Sequence, residues 1–266
     1  MLRSMFAAIS GLRVNQTMLD VTGNNIANSN TTGFKSSQTI FQDTLSQMLT
    51  GGTAPGGNQG GTNPVQIGLG VQLGGTNTTF TQGTAQMTGK PTDVMIQGDG
   101  FFVVQRNGED LYTRAGAFNL DANGDLVTID GDYVQAVGGG RINIPIGNND
   151  LKSYSIGADG TVTGQFASTG ARPLGQLAVA DFANPQGLEK VGDTMFRATT
   201  SSGAADVGAA GTGRRGQLTA GALEMSNVDL AAEFTNLILA QRGFQANSRV
   251  ITTSDQVLED LVNIKR

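Results

Sequence analysis

Along the N-terminal segment, apolar residues return in alternating steps of three and four. Positions 2, 5, 9, 12, 16, 19, 23 and 26 carry Leu2, Met5, Ile9, Leu12, Gln16, Leu19, Gly23 and Ile26, six of the eight apolar. That spacing predicts a helix of about 25 residues with a narrow, coiled-coil-like stripe. Asn24, Asn25 and the turn formers running to Gly33 mark its exit. The C-terminal segment repeats the pattern more cleanly. Leu230, Leu237, Phe244, Ile251 and Leu258 recur every seven residues, with Phe234 and Val262 at the intermediate step. A helix over roughly 228–264 would be about 55 Å long at about 1.5 Å per residue. Ser226 or Asn227 is the expected N-cap. Asp229 and Glu233 place negative charge in the first turns, and Lys265 and Arg266 place positive charge at the far end, both as the helix dipole favours.

A helix of that length with so narrow a stripe needs a long partner, and the chain offers one, its other terminal helix. A closed two-helix hairpin is the simpler arrangement. Two helices bury little surface, however, and Gln16, Gln241, Ser248 and Asp255 interrupt the seam. Further packing against other copies is therefore expected, through Leu2, Ile9, Leu12, Leu19, Ile26, Leu230, Phe234, Leu237, Phe244, Ile251 and Leu258.

Between the ends the period changes. Val94–Ile96, Gly100–Val104, Leu126–Ile129 and Gly175–Ala180 are short runs rich in β-branched and aromatic residues. Arg106-Asn107-Gly108, Asp121–Asp125, Asp130-Gly131-Asp132 and Ala158-Asp159-Gly160 punctuate them as turns. The expected fold class is α+β: paired terminal helices with an inserted, antiparallel, mostly-β domain, either a sandwich or an irregular barrel. The expected boundaries are residues 1–32 and 224–266 for a helical polymerisation domain, 33–74 for a Gly-rich extended linker, and 75–223 for an outer β-domain. Within the linker, residues 50–63 are the most Gly-rich and the most flexible expected segment.

Composition narrows the chemistry. Cysteine and histidine are absent from all 266 residues, which removes thiolate nucleophiles, Cys- or His-ligated zinc and the Ser-His-Asp class of hydrolase. Carboxylate-only chemistry such as glycoside hydrolysis stays open. A charged fraction of 15% is low for a soluble domain and suits a surface covered by other copies. With a net charge of −5 and no Lys/Arg cluster, no nucleic-acid partner is expected. The run Met5–Ile9, cut off by Arg13, is too short for a signal peptide, and no apolar stretch is long enough to cross a membrane. Export by a route without a cleaved signal is the expectation.

Short motifs add no chemistry. Asp121-Ala122-Asn123-Gly124-Asp125 opens like a calcium loop, but Leu126 stands where that loop requires Gly and no closing Glu follows, so a hairpin turn is expected. Gly98-Asp99-Gly100 and Gly68-Leu69-Gly70 lack the third Gly of a dinucleotide fingerprint. No catalytic, cofactor-binding or metal-binding residue is assigned. The competing class is a carbohydrate-binding or carbohydrate-active β-domain on a helical stalk, which requires a deep pocket with converging carboxylates.

Two segments carry a specific resemblance. Asp20–Lys35, with Asn24, Asn25 and Asn28 followed by Gly33, Phe34 and Lys35, resembles the N-terminal signature of the flagellar rod and hook family. Leu223–Leu230, with Ser226 and Asn227, and then Ala240–Gln245, with Gln241 and Arg242, resemble its C-terminal signature. Asp99–Phe102 and Tyr112–Phe118 are similar to its β-domain pattern. The resemblance implies an inner layer of paired terminal helices, unfolded export by the flagellar type III apparatus, and assembly at the distal tip outside the cytoplasm. It is strongest toward the short hooks of Gram-positive bacteria, through residues 176–188, 213–223 and 60–70. A hook subunit is therefore implied, forming a flexible tube that transmits torque from rod to filament. Its neighbours would be other copies in a helical homopolymer, the distal rod protein, the hook–filament junction protein and the hook cap protein. The alternative is a distal rod protein of the basal body, favoured by the insert at 46–66.

Overall fold

A computed structural model describes residues 2–56, 60–145 and 150–264; Lys265, Arg266 and residues 57–59 of the Gly-rich stretch lie outside the described residues. The chain forms two units. One comprises Met1–Ala27, Ser37–Thr78 and Asp229–Arg266, the other Asn28–Ser36 and Thr79–Val228.

The first unit holds the two long helices, α1 (Leu2–Ala27) and α2 (Leu230–Ile264). The expected cap of α2 is corrected by one turn chemistry. Asp229 Oδ1, not Ser226 or Asn227, accepts the free N–H groups of Ala231 (2.9 Å) and Ala232 (3.3 Å). Ser226 instead closes a local turn on the Val228 N–H. The helices are antiparallel. Space for a Cβ on Gly11 is taken by the amide of Asn247, and that on Gly243 by the amide of Asn15, so one step along α1 is matched by one step back along α2.

Residues 37–78, of which those up to 74 were expected as extended linker, form a β-ribbon in this unit. Ser37–Asp43 pairs antiparallel with Val71–Thr78, with a bulge at Ile40/Phe41, and Ser46–Thr50 pairs with Val65–Gly68. A Thr53–Thr62 bridge continues it into the Gly-rich stretch. The ribbon is tied to α1 by Ser10, whose Oγ accepts the Val71 N–H at 3.2 Å. Gly70 next to it has φ +131°, and a Cβ there would strike Ser10 Oγ, so this crossing requires glycine.

The second unit is antiparallel β. In its main sheet the strands run Glu189–Gly192, Met195–Arg197, Glu109–Thr113, Phe101–Arg106, Tyr133–Val134, Leu126–Val127 and Asn119–Leu120, and Ala178–Asp181 pairs with both Phe101–Arg106 and Asp206–Ala209. A separate three-stranded meander spans Leu151–Ile156, Thr161–Phe166 and Gly170–Gln176. The run Phe101–Val104 is buried on both faces because its alternate side chains enter different cores. Phe102 and Val104 join Val94, Ile96, Phe118 and Leu177; Phe101 and Val103 join Tyr112, Phe182 and Phe196. The Asn107-Gly108 turn joins its strands directly, both residues at positive φ (53° and 86°), as an Asn-Gly hairpin requires. Asp121–Asp125 is a tight turn in which Gly124 N–H reaches Asp121 O at 2.8 Å, in line with the hairpin expectation.

Candidate assembly interface

The helix pair is built from side chains too small or too polar to form an ordinary core. On α1 the buried positions are Ala8, Gly11, Val14, Thr22 and Asn25, and on α2 they are Glu233 and Ala240. The small residues let the backbones approach closely, as the Gly11–Asn247 and Gly243–Asn15 contacts show. Apart from Val14, each of these buried positions on α1 lies one residue before a position of the apolar stripe read from sequence.

The stripe itself is displaced to the flank of the seam. Leu12, Leu19, Ile26, Leu237, Ile251 and Leu258 are half-buried along its edge, while Ile9, Leu230, Phe234 and Phe244 are exposed. Leu2 begins α1, and its side chain lies outside the described residues. Ile238, Leu239, Val250, Val257, Leu261, Val262 and Ile264 extend the open apolar surface of α2. Monomeric proteins seldom leave so long an apolar stripe uncovered. The helix pair is an unfinished layer: its inner seam is closed and its outer apolar surface is not.

Amide chemistry fixes the other end of the pair. Asn25 Nδ2 donates to Glu233 Oε1 (3.0 Å) and to Ser37 O (2.8 Å), while Asn25 Oδ1 accepts the Ser37 N–H (3.1 Å). One side chain thus holds α1, α2 and the start of the ribbon. Burial raises the Glu233 carboxyl above its ordinary value; the Asn25 hydrogen bond pulls it down, and Asp229 pushes it up.

Several signature residues lie in the β unit and join its two entering segments. Lys35, fully buried, donates from Nζ to Glu224 Oε1 (2.6 Å) and to Thr81 O (2.8 Å). Glu224 also accepts the Gly83 N–H at 3.0 Å and faces Arg114 Nη1 at 3.5 Å. Burial holds Lys35 and Arg114 below their ordinary values, with Glu224 opposing that shift in both. Gly33, at φ +69°, donates its N–H to Glu224 O (2.8 Å) and has no room for a side chain against Arg114 and Ala115. Asn227 Oδ1 accepts the Ser36 N–H (2.8 Å), and its Nδ2 donates to Thr79 O (2.8 Å) and Thr81 Oγ1 (2.9 Å). Three passes of chain are thereby tied to one amide.

The other motif residues are not part of this cluster. Phe34 is half-buried beneath Lys190, whose Nζ stands 5.1 Å from its ring centre. Asn28 turns the exit of α1, its Oδ1 3.1 Å from Thr31 Oγ1. Asn24, Gln241 and Arg242 are exposed, the last reaching Gln245 at 3.3 Å. Sequence reasoning missed Glu224, Arg114 and Glu233 as partners. Glu224 and Arg114 stand inside the quoted signatures, and a charged residue inside an otherwise apolar stretch was the available signal.

The geometry expected of a carbohydrate-active site takes a different form. A hollow of about 260 Å³ in the β unit is lined by Thr31, Thr113, Thr128, Asp130, Asp193 and Met195. Arg106 holds its two carboxylates, at 3.9 Å from Asp130 and 3.1 Å from Asp193. Both carboxylates are thus ion-paired to one guanidinium.

The family model described as flagella basal body rod protein matches residues 5–35. That described as the flagellar hook protein FlgE/F/G D1 domain matches residues 95–164, and the flagellar basal body rod FlgEFG protein C-terminal model matches 219–264. Among curated relatives, the flagellar basal-body rod protein FlgG of Bacillus subtilis is 49% identical over 267 residues, covering all of both chains. The FlgG protein of Agrobacterium fabrum is 41% identical over 96% of this chain and 97% of its own. The flagellar hook protein FlgE of Borreliella burgdorferi is 27% identical over an alignment of 441 positions that covers both chains fully.

Proposed function

The chain belongs to the family of flagellar rod and hook proteins, and on that premise we propose that it is a structural subunit of the distal rod of the basal body, without catalytic activity. It polymerises through its terminal helices. The observation that carries this reading is the helix pair: an inner seam closed by Ala, Gly and Asn, and an outer apolar surface left for neighbouring copies.

The choice of rod over hook reverses the weighting drawn from the β-domain motifs. The rod relatives match this chain end to end at similar length and at 41–49% identity, whereas the hook relative aligns over 441 positions at 27%. That contrast supports the rod, the alternative to the hook. The ribbon at Ser46–Thr50 and Val65–Gly68, paired and exposed along its length, supports it too, since the insert at 46–66 was the feature that favoured a rod. On this reading the neighbours are other rod subunits and the base of the hook; contacts with the hook cap and the hook–filament junction belonged to the hook reading. Export through the flagellar type III apparatus is kept. Antibody labelling of isolated flagellar bases tests the choice: label on the shaft beneath the hook is expected, and label along the hook itself would overturn it.

A further inference from the structure

We infer that the last two turns of α2 from one copy seat in a groove beside α1 of another copy, so that successive subunits are joined head to tail. The inference rests on the self-assembly reading above and names the surfaces that meet. The groove belongs to the helix unit. It runs between α1 and the ribbon strand Val71–Thr78, has a volume of about 570 Å³, and is walled by Phe6, Ile9, Arg13, Val14, Val71 and Leu73. Phe6 is 67% exposed, too much for a side chain of its size to be a finished part of this unit.

The matching surface is on α2. Val257, Leu261 and Ile264 stand at i, i+4 and i+7, on one face of the helix, and all three are exposed. Asp260, one turn on from Val257, flanks that face. The antiparallel register shows that this segment cannot fill the groove of its own chain. Gly11 lies level with Asn247 and Asn15 with Gly243, so Phe6 lies level with residues near 252, and a straight α2 has passed the groove before Val257. Charge agrees with this pairing. Arg13 is in the groove wall, Asp260 borders the apolar face of the helix end, and among the described residues neither makes an ion pair. The occupant is therefore a second copy presenting an apolar face with an acidic edge.

Groove and helix end are different patches, so each docking event leaves one groove and one helix end free. Such a heterologous contact propagates instead of closing into a dimer.

Because the chain has no cysteine, disulfide trapping in the full-length protein reads this contact directly. Leu73→Cys and Leu261→Cys in one chain should give, after oxidation of assembled protein, a ladder of covalent dimers, trimers and longer species. The two single variants mixed should stop at the dimer. Polymers visible by electron microscopy that yield no ladder would overturn the inference while leaving the self-assembly reading intact; a wild-type chain that never polymerises would sink both. A second arm needs no cysteine. Arg13→Glu or Asp260→Arg should each lower the yield of polymer about two- to fivefold, the range of an exposed ion pair, and the two together should restore it. A double variant no better than the worse single one would count against the pairing.

Discussion

The carboxylate of Glu233 on α2 takes its hydrogen bond from Asn25 on α1, across 3.0 Å at a site where both residues are buried. Asn25 meanwhile satisfies both backbone poles of Ser37. Replacing Asn25 by Ala removes three hydrogen bonds at once, one of them to the buried Glu233 carboxylate. A polar group that stays buried without its partner costs about 1–3 kcal/mol. Asn25→Ala is expected to speed amide hydrogen exchange at the α1 exit and the first turns of α2, with exchange in the β unit unchanged. Uniform acceleration across both units would contradict the local role.

The same carboxyl predicts a direction with pH. Its pKa is raised in the folded state, chiefly by burial. A carboxyl raised in this way binds its proton more tightly folded than unfolded, so stability falls as pH rises through the window between the two values. The helix pair should therefore become more protected from exchange on going from neutral pH down toward the ordinary glutamate range. Glu233→Gln should remove that dependence, and a dependence surviving the substitution would assign it elsewhere.

In the β unit the order of damage among three buried charges is predictable. Glu224 faces both Lys35 and Arg114, at 2.6 and 3.5 Å, while Asp99 and Asp181 act on Arg114 from further away. Glu224→Gln leaves Lys35 without its counter-charge and Arg114 with only the more distant Asp99 and Asp181, whereas Lys35→Met leaves Glu224 with Arg114. Uncompensated buried charge costs about 3–5 kcal/mol. Thermal melting should show a larger loss for Glu224→Gln than for Lys35→Met, and the reverse order would remove Glu224 from the centre of the cluster.

How far the fold could be read in the sequence depended on whether a signal was local. Both helices were legible because a seven-residue repeat is a property of one helix alone. Which flank of the stripe would close the seam was not legible: Gly11 and Gly243 contribute by what they lack, and their effect exists only when Asn247 and Asn15 lie opposite. The Asn107-Gly108 turn was legible because its backbone demands those residues. The cap of α2 was misread because Asn227, an excellent capping residue, is occupied by Ser36, Thr79 and Thr81, contacts 146 or more residues away in sequence. The ribbon was missed because its residues alternate weakly and are exposed on both faces.

That exposure makes the ribbon itself a test. Met48, Leu49, Val65 and Ile67 are apolar, exposed and on a two-stranded element that is marginal by itself in water. In an assembled tube they are expected to be covered by neighbouring copies and to stiffen it. Deleting residues 46–68 should give tubes that bend more readily under electron microscopy, and tubes of unchanged straightness would assign the ribbon no mechanical part.

The last prediction separates the seam from the outer surface. Phe244 is 38% exposed, so Phe244→Asp gives up part of its packing in the single chain, about 1–2 kcal/mol, and should leave the helix pair formed. Gly243 is adjacent in sequence but lies in the seam against Asn15. Gly243→Leu keeps good helix propensity, yet its side chain must displace that amide and part the helices. Both variants should fail to polymerise, but for different reasons. Circular dichroism and hydrogen exchange should find the helix pair preserved in Phe244→Asp and loosened in Gly243→Leu. If Phe244→Asp still builds polymers, the outer stripe is not the assembly surface, and the apolar face of α2 must serve another contact.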